Sequence, residues 1–270
     1  MTNIPDRRPQ RLRHELRLRM LTVRSVETLS LHMVRIKLGG EELEGFFSPG
    51  FDDHVKVFFP APGQDAPARP QLGDKGVVFP EGQARPVMRD FTPRRYDAEA
   101  GMLTIDFALH DSGPATAWAR QARPGQALAV GGPRGSFIVP TDFDWHLLVG
   151  DAAGLPAIAR RLEELPADAR VLALIEVDQP ADVLELNTGP GASVHWVYGS
   201  EQQPGEALVT ALAAIDFPSG DYHAWVGCES ATAKRLRDML IAERGANPKW
   251  VRASGYWRRG AVGVHDSFDE

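Results

Sequence analysis

Three clusters of residues carry the chemistry open to this chain. Arg89, Phe91 and Thr92 lie on one extended segment that runs into Pro93-Arg94. Strand alternation puts Arg89 and Phe91 on one face and Thr92 on the other, unless Pro93 bends the chain. The second cluster follows the apolar stretch Met102 to Leu109. It holds His110, the turn Gly113-Pro114-Ala115-Thr116, and Trp118. Pro114 suits a first helical position, because its missing N–H would have no helical partner there. The open N–H groups of that turn, with the helix dipole, form a place for phosphate. Arg89 would add charge and a planar fork of donors. An arginine, an aromatic, a hydroxyl and a helix start together fit a large planar cofactor carrying a diphosphate.

The third cluster is Gly150-Asp151-Ala152-Ala153-Gly154, between an apolar strand and a helix, where dinucleotides bind in open α/β sheets. This turn has no G-x-G-x-x-G. Glu176, at the end of the next strand, could accept from a ribose hydroxyl. Val226-Gly227-Cys228-Glu229-Ser230 ends a later strand, with Ser230 expected to cap the following helix. Cys228 reads equally well as a buried small hydrophobe.

The elements that must hold these clusters change period near the middle of the chain. Arg17 to Val26, Leu31 to Leu38, His54 to Phe59, Met88 to Arg94, Met102 to Leu109 and Gln126 to Val130 read as six strands. Six closely spaced strands indicate a small antiparallel β-barrel, capped by a helix over Pro114 to Ala122. Asp97 to Gly101 is a hairpin turn. Ala61 to Ala84, rich in Pro and Gly, reads as a long surface loop with a short strand at Gly76 to Phe79. After Pro140 strands alternate with helices. Strands cover Trp145 to Val149, Arg170 to Val177, Ser193 to Tyr198, Tyr222 to Val226 and Trp250 to Ala253. Helices cover Leu155 to Leu165, Glu206 to Ile215 and Ser230 to Arg244. This pattern means a parallel sheet covered on both faces. The expected domains are a barrel over residues 1–143 and an α/β domain over 144–270.

Composition bounds the function classes. At 270 residues, 43% hydrophobic and 24% charged, the chain is an ordinary globular protein. A formal charge of −6 argues against a general nucleic-acid binder. One cysteine excludes an internal disulfide and fits a reducing compartment, so a cytoplasmic protein is expected, with a monomer the default for this architecture. No apolar run approaches a membrane span, and the arginine-rich start lacks the apolar core of a secretory signal. Arg7, Arg8, Arg11, Arg13, Arg17 and Arg19 form a basic arm, read as a solvated, partly disordered tail leading into a strand. No Cys/His spacing marks a protein-held metal.

Arg89-x-Phe91-Thr92-Pro93-Arg94, His110-x-x-Gly113-Pro114-Ala115-x-x-Trp118-Ala119 and Gly132-Pro133-Arg134-Gly135-Ser136 together resemble the siderophore-interacting proteins. These are FAD-containing ferric-siderophore reductases of the ferredoxin-reductase-like superfamily. The resemblance extends from about Leu16 through Leu155-Pro156-Ala157-Ile158 to Gly255-Tyr256-Trp257-Arg258-Arg259-Gly260. It implies that Arg89 contacts the FAD diphosphate, Phe91 lies along the flavin, and Thr92 approaches its reactive nitrogen. Asp106, His110, Gly113, Pro114, Ala115, Thr116 and Trp118 complete the FAD set. Gly150, Asp151, Glu176 and Cys228 fall to NADH or NADPH. Tyr256 or Trp257, on a C-terminal tail, would cover the flavin, and Arg258 and Arg259 would hold a phosphate or an anionic siderophore. The chain departs from the family at Phe91, where Tyr is usual, at Asp111, where Gly is usual, and at Ala152-Ala153, where Glu-Thr is common. The implied activity is NAD(P)H-dependent reduction of a ferric siderophore through FAD. A general flavin or electron-carrier reductase, and a siderophore-binding protein fed by a protein donor, share the same motifs.

Overall fold

The structure, a computed structural model, describes residues 7–73, 76–82, 85–110, 113–199, 203–261 and 266–268. It forms two compact units, one of residues 11–138, the other of residues 1–10 with 139–270.

The first unit is β. Its strands are β1 (Gln10–Arg13), β2 (Leu18–Ser30), β3 (Met33–Gly39), β4 (Val55–Phe59), β5 (Gln71–Gly73), β6 (Gly76–Val78), β7 (Val87–Phe91), β8 (Arg95–Asp97), β9 (Met102–Ala108), β10 (Ala127–Gly131) and β11 (Gly135–Ile138), with helix α1 (Pro114–Ala119) after β9. Seven of them form one antiparallel sheet in the order β7-β4-β10-β2-β3-β9-β8. Register follows apolar alternation: Leu21 faces Leu128, Ile36 faces Ile105 and Val57 faces Val130, all within one core. The sheet curls until Phe91 on edge strand β7 meets Phe107 on β9, ring centroids 4.4 Å apart. Trp118 of α1 closes the same cluster against Phe59 at 5.6 Å and Phe107 at 5.9 Å.

The six expected strands are present, joined by the three-residue β8, too short to show a period. The expected helix over Pro114 to Ala122 ends at Ala119. The long loop holds a hairpin, β5 with β6, and β1 pairs with β11.

The second unit is α/β. It contains β12 (Trp145–Gly150), α2 (Leu155–Glu164), β13 (Val171–Val177), β14 (Ala192–Tyr198), α3 (Glu206–Ala214), β15 (Tyr222–Glu229), α4 (Ser230–Ala242), β16 (Val251–Trp257) and β17 (Asp266–Ser267). The sheet order is β14-β13-β12-β15-β16-β17, parallel except for β17. Trp145, Leu147, Val149, Val226 and Cys228 face Leu208 of α3 and Leu236 and Leu240 of α4 in one core. Alternation turns Gly150 to the other face, where Ile158 of α2 lies against it.

Two expectations change here. β16 runs past Ala253 through Trp257, so Tyr256 and Trp257 are strand residues and not a tail: Gly255 and Trp257 pair with Cys228 and Glu229 of β15, and Tyr256 stands at the bulge between them. The basic arm is not simply solvated. Arg7 is only 9% exposed in its side chain and donates to Asp221 at 3.1 Å, with Asp142 and Asp144 at 3.8 Å. Its guanidinium lies 5.0 Å from the Phe143 ring centroid. Arg19 is buried as well, on the inner face of β2, over Phe46. Among the described residues no helix is long and apolar enough to cross a membrane.

Candidate functional site

In the β unit, Arg89 and Phe91 share the inner face of β7, opposite Val57 and Val55. Arg89 sits toward the rim, where its Nη1 donates to the Met88 carbonyl at 2.7 Å in an exposed contact. Phe91 is half-buried, with Phe107 and Phe59 beneath it. The strand ends there, and Thr92 is buried just beyond it, before Pro93. Across the aromatic cluster, the exposed His110 donates its backbone N–H to Thr116 Oγ1 at 3.3 Å, which fixes the entry to α1. Gly113 has φ of 133°, and a side chain there would have open space, so conformation and not room selects glycine. Pro114 is the first helical residue, and the N–H groups of Ala115 and Thr116 have no intrahelical acceptor. Phe91, Phe107 and Trp118 therefore bring the Arg89–Thr92 segment and the His110–Trp118 segment to one place. A guanidinium at the rim, a partly open ring and an unfilled helix start fit a planar cofactor with a diphosphate. Asp111 lies outside the described residues.

Asp106 does not belong to this set. It lies on the outer face of β9, where Arg35 grips it twice, at 2.7 and 2.8 Å, and Arg94 stands at 3.8 Å. The alternation that turns Phe107 inward turns Asp106 away from the aromatic cluster.

In the α/β unit, strand order reverses between β12 and β15, the place where ligands enter such sheets. Gly150 and Gly227 are register partners at that point. A Cβ on Gly154 would lie 2.1 Å from the Gly227 carbonyl oxygen, so the turn into α2 closes only on glycine. Asp151 holds this turn. Its Oδ1 accepts from Ala153 N at 2.9 Å and Gly154 N at 3.3 Å, and its Oδ2 accepts from Glu229 N at 3.0 Å and Trp257 Nε1 at 2.7 Å. Ala152 and Ala153 thus stand in a loop shaped by the Asp151 carboxylate and by backbone.

Glu176 is not presented to a ribose. It is buried, and its carboxylate accepts from Gly205 N at 2.9 Å and Leu208 N at 3.3 Å, at the start of α3. Burial pushes its pKa up, against those two hydrogen bonds. The cap of α4 is Glu229 and not Ser230. Glu229 Oε2 accepts from Ala231 N at 2.7 Å and Thr232 N at 3.0 Å. Ser230 Oγ instead lies 3.0 Å from the Trp257 carbonyl and 2.6 Å from Asp266 Oδ2. Cys228 is 1% exposed in the α3–α4 core. Its thiol pKa is driven well up by burial and by the charges of Asp151, Glu176 and Glu229. Tyr256 meets Trp225 edge-on at 5.8 Å. Arg258 donates to Asp266 at 2.6 Å, and the exposed Arg259 donates its N–H to Glu229 Oε1 at 3.3 Å. Sequence reasoning missed Glu229 and Asp266. Glu229, directly before the helix start, was open to that reading. Asp266 carried no local signal.

Comparison with known proteins places both units. The siderophore-interacting FAD-binding domain matches residues 22–137, and the siderophore-interacting protein domain matches residues 143–260. Over 260 residues the chain is 44% identical to a protein of Escherichia coli (strain K12) named NADPH-dependent ferric-chelate reductase, covering 95% of this chain and 99% of that one. It is 32% identical over 236 residues to the ferric vibriobactin reductase ViuB of Vibrio cholerae, covering 86% of each. The crystal structure of a siderophore utilization protein from T. fusca superposes with a TM-score of 0.86 at 39% identity, over 95% of this chain and 98% of that one. The curled β sheet, the reversed α/β sheet and these near full-length matches agree, and the chain belongs to the siderophore-interacting protein family.

Proposed function

We propose that this protein is an FAD-dependent ferric-siderophore reductase that draws electrons from NADPH. The observation that carries the reading is the 44% identity, over nearly the whole of both chains, to an NADPH-dependent ferric-chelate reductase. Bound FAD would supply the chemistry, accepting two electrons as hydride and passing them on singly. The protein's own groups bind and orient. Arg89 and the first turn of α1 neutralise the diphosphate, Phe91 supplies an apolar wall, and Thr92 places a hydroxyl where the strand ends. Phe91 lacks the phenol usual in the family, which weakens FAD retention by about 1 kcal/mol without abolishing it. One NADPH reduces two ferric ions. Ferrous iron holds hard oxygen ligands less tightly and leaves its chelator. A chain with a single cysteine suits a reducing compartment, and we place iron release in the cytoplasm.

Glu176 leaves NADPH open as donor. An acid at this strand end ordinarily pairs with the ribose 2′-hydroxyl of NADH. Here both carboxylate oxygens are engaged by α3, so the residue neither recognises that hydroxyl nor opposes a 2′-phosphate.

The test is the visible spectrum of the purified protein under anaerobic conditions. Flavin bands that bleach with NADPH and return on adding a ferric siderophore are the expected result. Bands that bleach but do not return would leave a reductase for another acceptor. A protein that takes up no FAD would overturn the proposal. Arg89→Ala is expected to weaken FAD binding about tenfold, read by fluorescence titration of the apoprotein.

A further inference from the structure

Arg7 and Arg19 of the basic arm are engaged inside the fold, but Arg11, Arg13 and Arg17 are exposed. β1 lies outside the seven-stranded sheet, in a two-stranded ribbon with β11. Its residues, Gln10-Arg11-Leu12-Arg13, all face solvent, so no core accounts for the strand. Among the described residues neither Arg11 nor Arg13 is ion-paired. The Arg11 guanidinium rests 5.5 Å from the Phe137 ring centroid. Arg17 leans on the exposed Glu15 at 3.4 Å, a contact too loose to cancel its charge. Residues 11–17 thus hold three arginines against one acid, in a chain whose formal charge is −6.

Beside these cations the fold holds an apolar ring in the open. Phe46 is buried against Arg19, whereas the next residue, Phe47, is 58% exposed, and Leu12 of β1 is 38% exposed. The base under Phe47 is rigid. His14 meets its ring edge-on at 5.4 Å, and His14 Nε2 lies 2.7 Å from Ser136 Oγ. Ser136 donates to the buried Asp53 Oδ2 at 2.6 Å, and Ser48, one residue past Phe47, donates to the same oxygen at 2.9 Å. The ribbon and the Phe47 loop are therefore fastened to one carboxylate. Arg17 Nη1 flanks the loop, 3.1 Å from where Gly45 would carry a Cβ. A phosphate alone would account for the arginines but not for the exposed Phe47 and Leu12. A bilayer surface accounts for both, since cations meet lipid phosphates while apolar side chains enter the headgroup layer.

We propose that β1 and Phe47 form a docking surface for an anionic lipid bilayer. Arg11, Arg13 and Arg17 face the lipid phosphates, and Phe47 and Leu12 enter the headgroup layer. A few cations and one ring make the contact peripheral and reversible, weakening as salt is raised. It is independent of the electron donor and of the acceptor.

The experiment is sedimentation of the FAD-loaded protein with vesicles of phosphatidylcholine, and with vesicles in which about a third of the lipid is phosphatidylglycerol. Wild type should bind the mixed vesicles, leave the neutral ones, and release as salt is raised. Arg11→Gln combined with Arg13→Gln should lower the partition coefficient on the order of tenfold, and Phe47→Ser about fivefold. Lys234→Gln combined with Arg235→Gln removes the same charge from the exposed face of α4 and should change it less than about twofold. A wild type that stays in solution with the mixed vesicles would overturn the proposal. So would an α4 variant that loses as much as the β1 variant, since net charge alone would then explain binding, and so would a Phe47→Ser that binds as wild type does. Retention of a short DNA duplex without binding to vesicles would assign the arginines to nucleic acid and overturn it as well. FAD content equal to wild type in every variant excludes loss of fold as the cause.

Discussion

Trp257 donates its indole Nε1–H to Asp151 Oδ2 at 2.7 Å, tying the last residue of β16 to the turn between β12 and α2. The same carboxylate receives three backbone N–H groups. An acid with four donors on two oxygens is an anchor before it is a ligand contact. We expect Asp151→Ala to cost about 3 kcal/mol, because four donors lose their acceptor at once. Trp257→Phe keeps the ring and loses one bond, so about 1 kcal/mol is expected. Urea unfolding followed by tryptophan fluorescence measures both. The double variant should cost less than the sum, since the two share an interaction.

Asp106 is expected to matter for folding and not for cofactor. Replacing it with Asn removes the negative charge that Arg35 grips and that stands 3.8 Å from the buried Arg94, at a cost of about 3 kcal/mol. The folded fraction of Asp106→Asn should still take up FAD one-to-one. A folded variant that binds FAD tenfold more weakly would return Asp106 to the cofactor site.

Stability should fall with acid. His146 and His223 are buried side by side on β12 and β15, ring centroids 6.4 Å apart. Burial, with the charge of Arg161, pulls His146 down to about 4. Burial, with His146, Arg161 and Arg252, takes His223 well below the usual range. Unfolded histidines protonate near 6.5 while the folded pair stays neutral, so the unfolded state binds more protons below that pH. Stability is complete above about 6.5 and declines as pH falls toward 4, by up to about 1.4 kcal/mol per pH unit for each histidine. Urea midpoints between pH 7.5 and 5 test this. His223→Leu should roughly halve the slope, and an unchanged slope would place the acid sensitivity elsewhere.

Cys228 is expected to resist alkylation in the native state. Its thiolate is opposed by burial and by three nearby carboxylates. Iodoacetamide at pH 8 should label it only as fast as the protein unfolds, and rapid native labelling would contradict the buried position. Cys228→Ala should leave NADPH oxidation within about twofold of wild type and cost about 1 kcal/mol.

Much of the fold was legible because alternation is a local signal. Leu21-x-Val23, Val34-x-Ile36-x-Leu38 and Val55-x-Val57-x-Phe59 each announce a strand with one buried face. The return of Phe91 to Phe107 and the burial of Trp118 are long-range, and no window of sequence contains them. The family motif placed Arg89, Phe91 and the α1 turn near one another, as the aromatic cluster does. It did not reveal which way the acids turn. Glu176 and Glu229 sit at strand ends where an acid can face a ligand or the next helix. That choice depends on three-dimensional neighbours such as Gly205 and Ala231. Tyr256 and Trp257 read as tail because Gly255 interrupts the apolar pattern. In the structure Gly255 allows Ser230 to pack there, since a Cβ would fall 2.2 Å from Ser230 Oγ.

The docking of Arg7 has a consequence for biosynthesis. Its acceptors, Asp142, Asp144 and Asp221, and its aromatic neighbours Phe143 and Trp250, all lie far along the chain. The arginine is made before every one of these partners, with the β unit made in between. Until they meet, the α/β unit lacks a staple and its acidic loops repel one another. A nascent chain stalled before Asp142 would therefore lack every partner of this arm, and proteolysis within the first ten residues would loosen a unit encoded more than a hundred residues away.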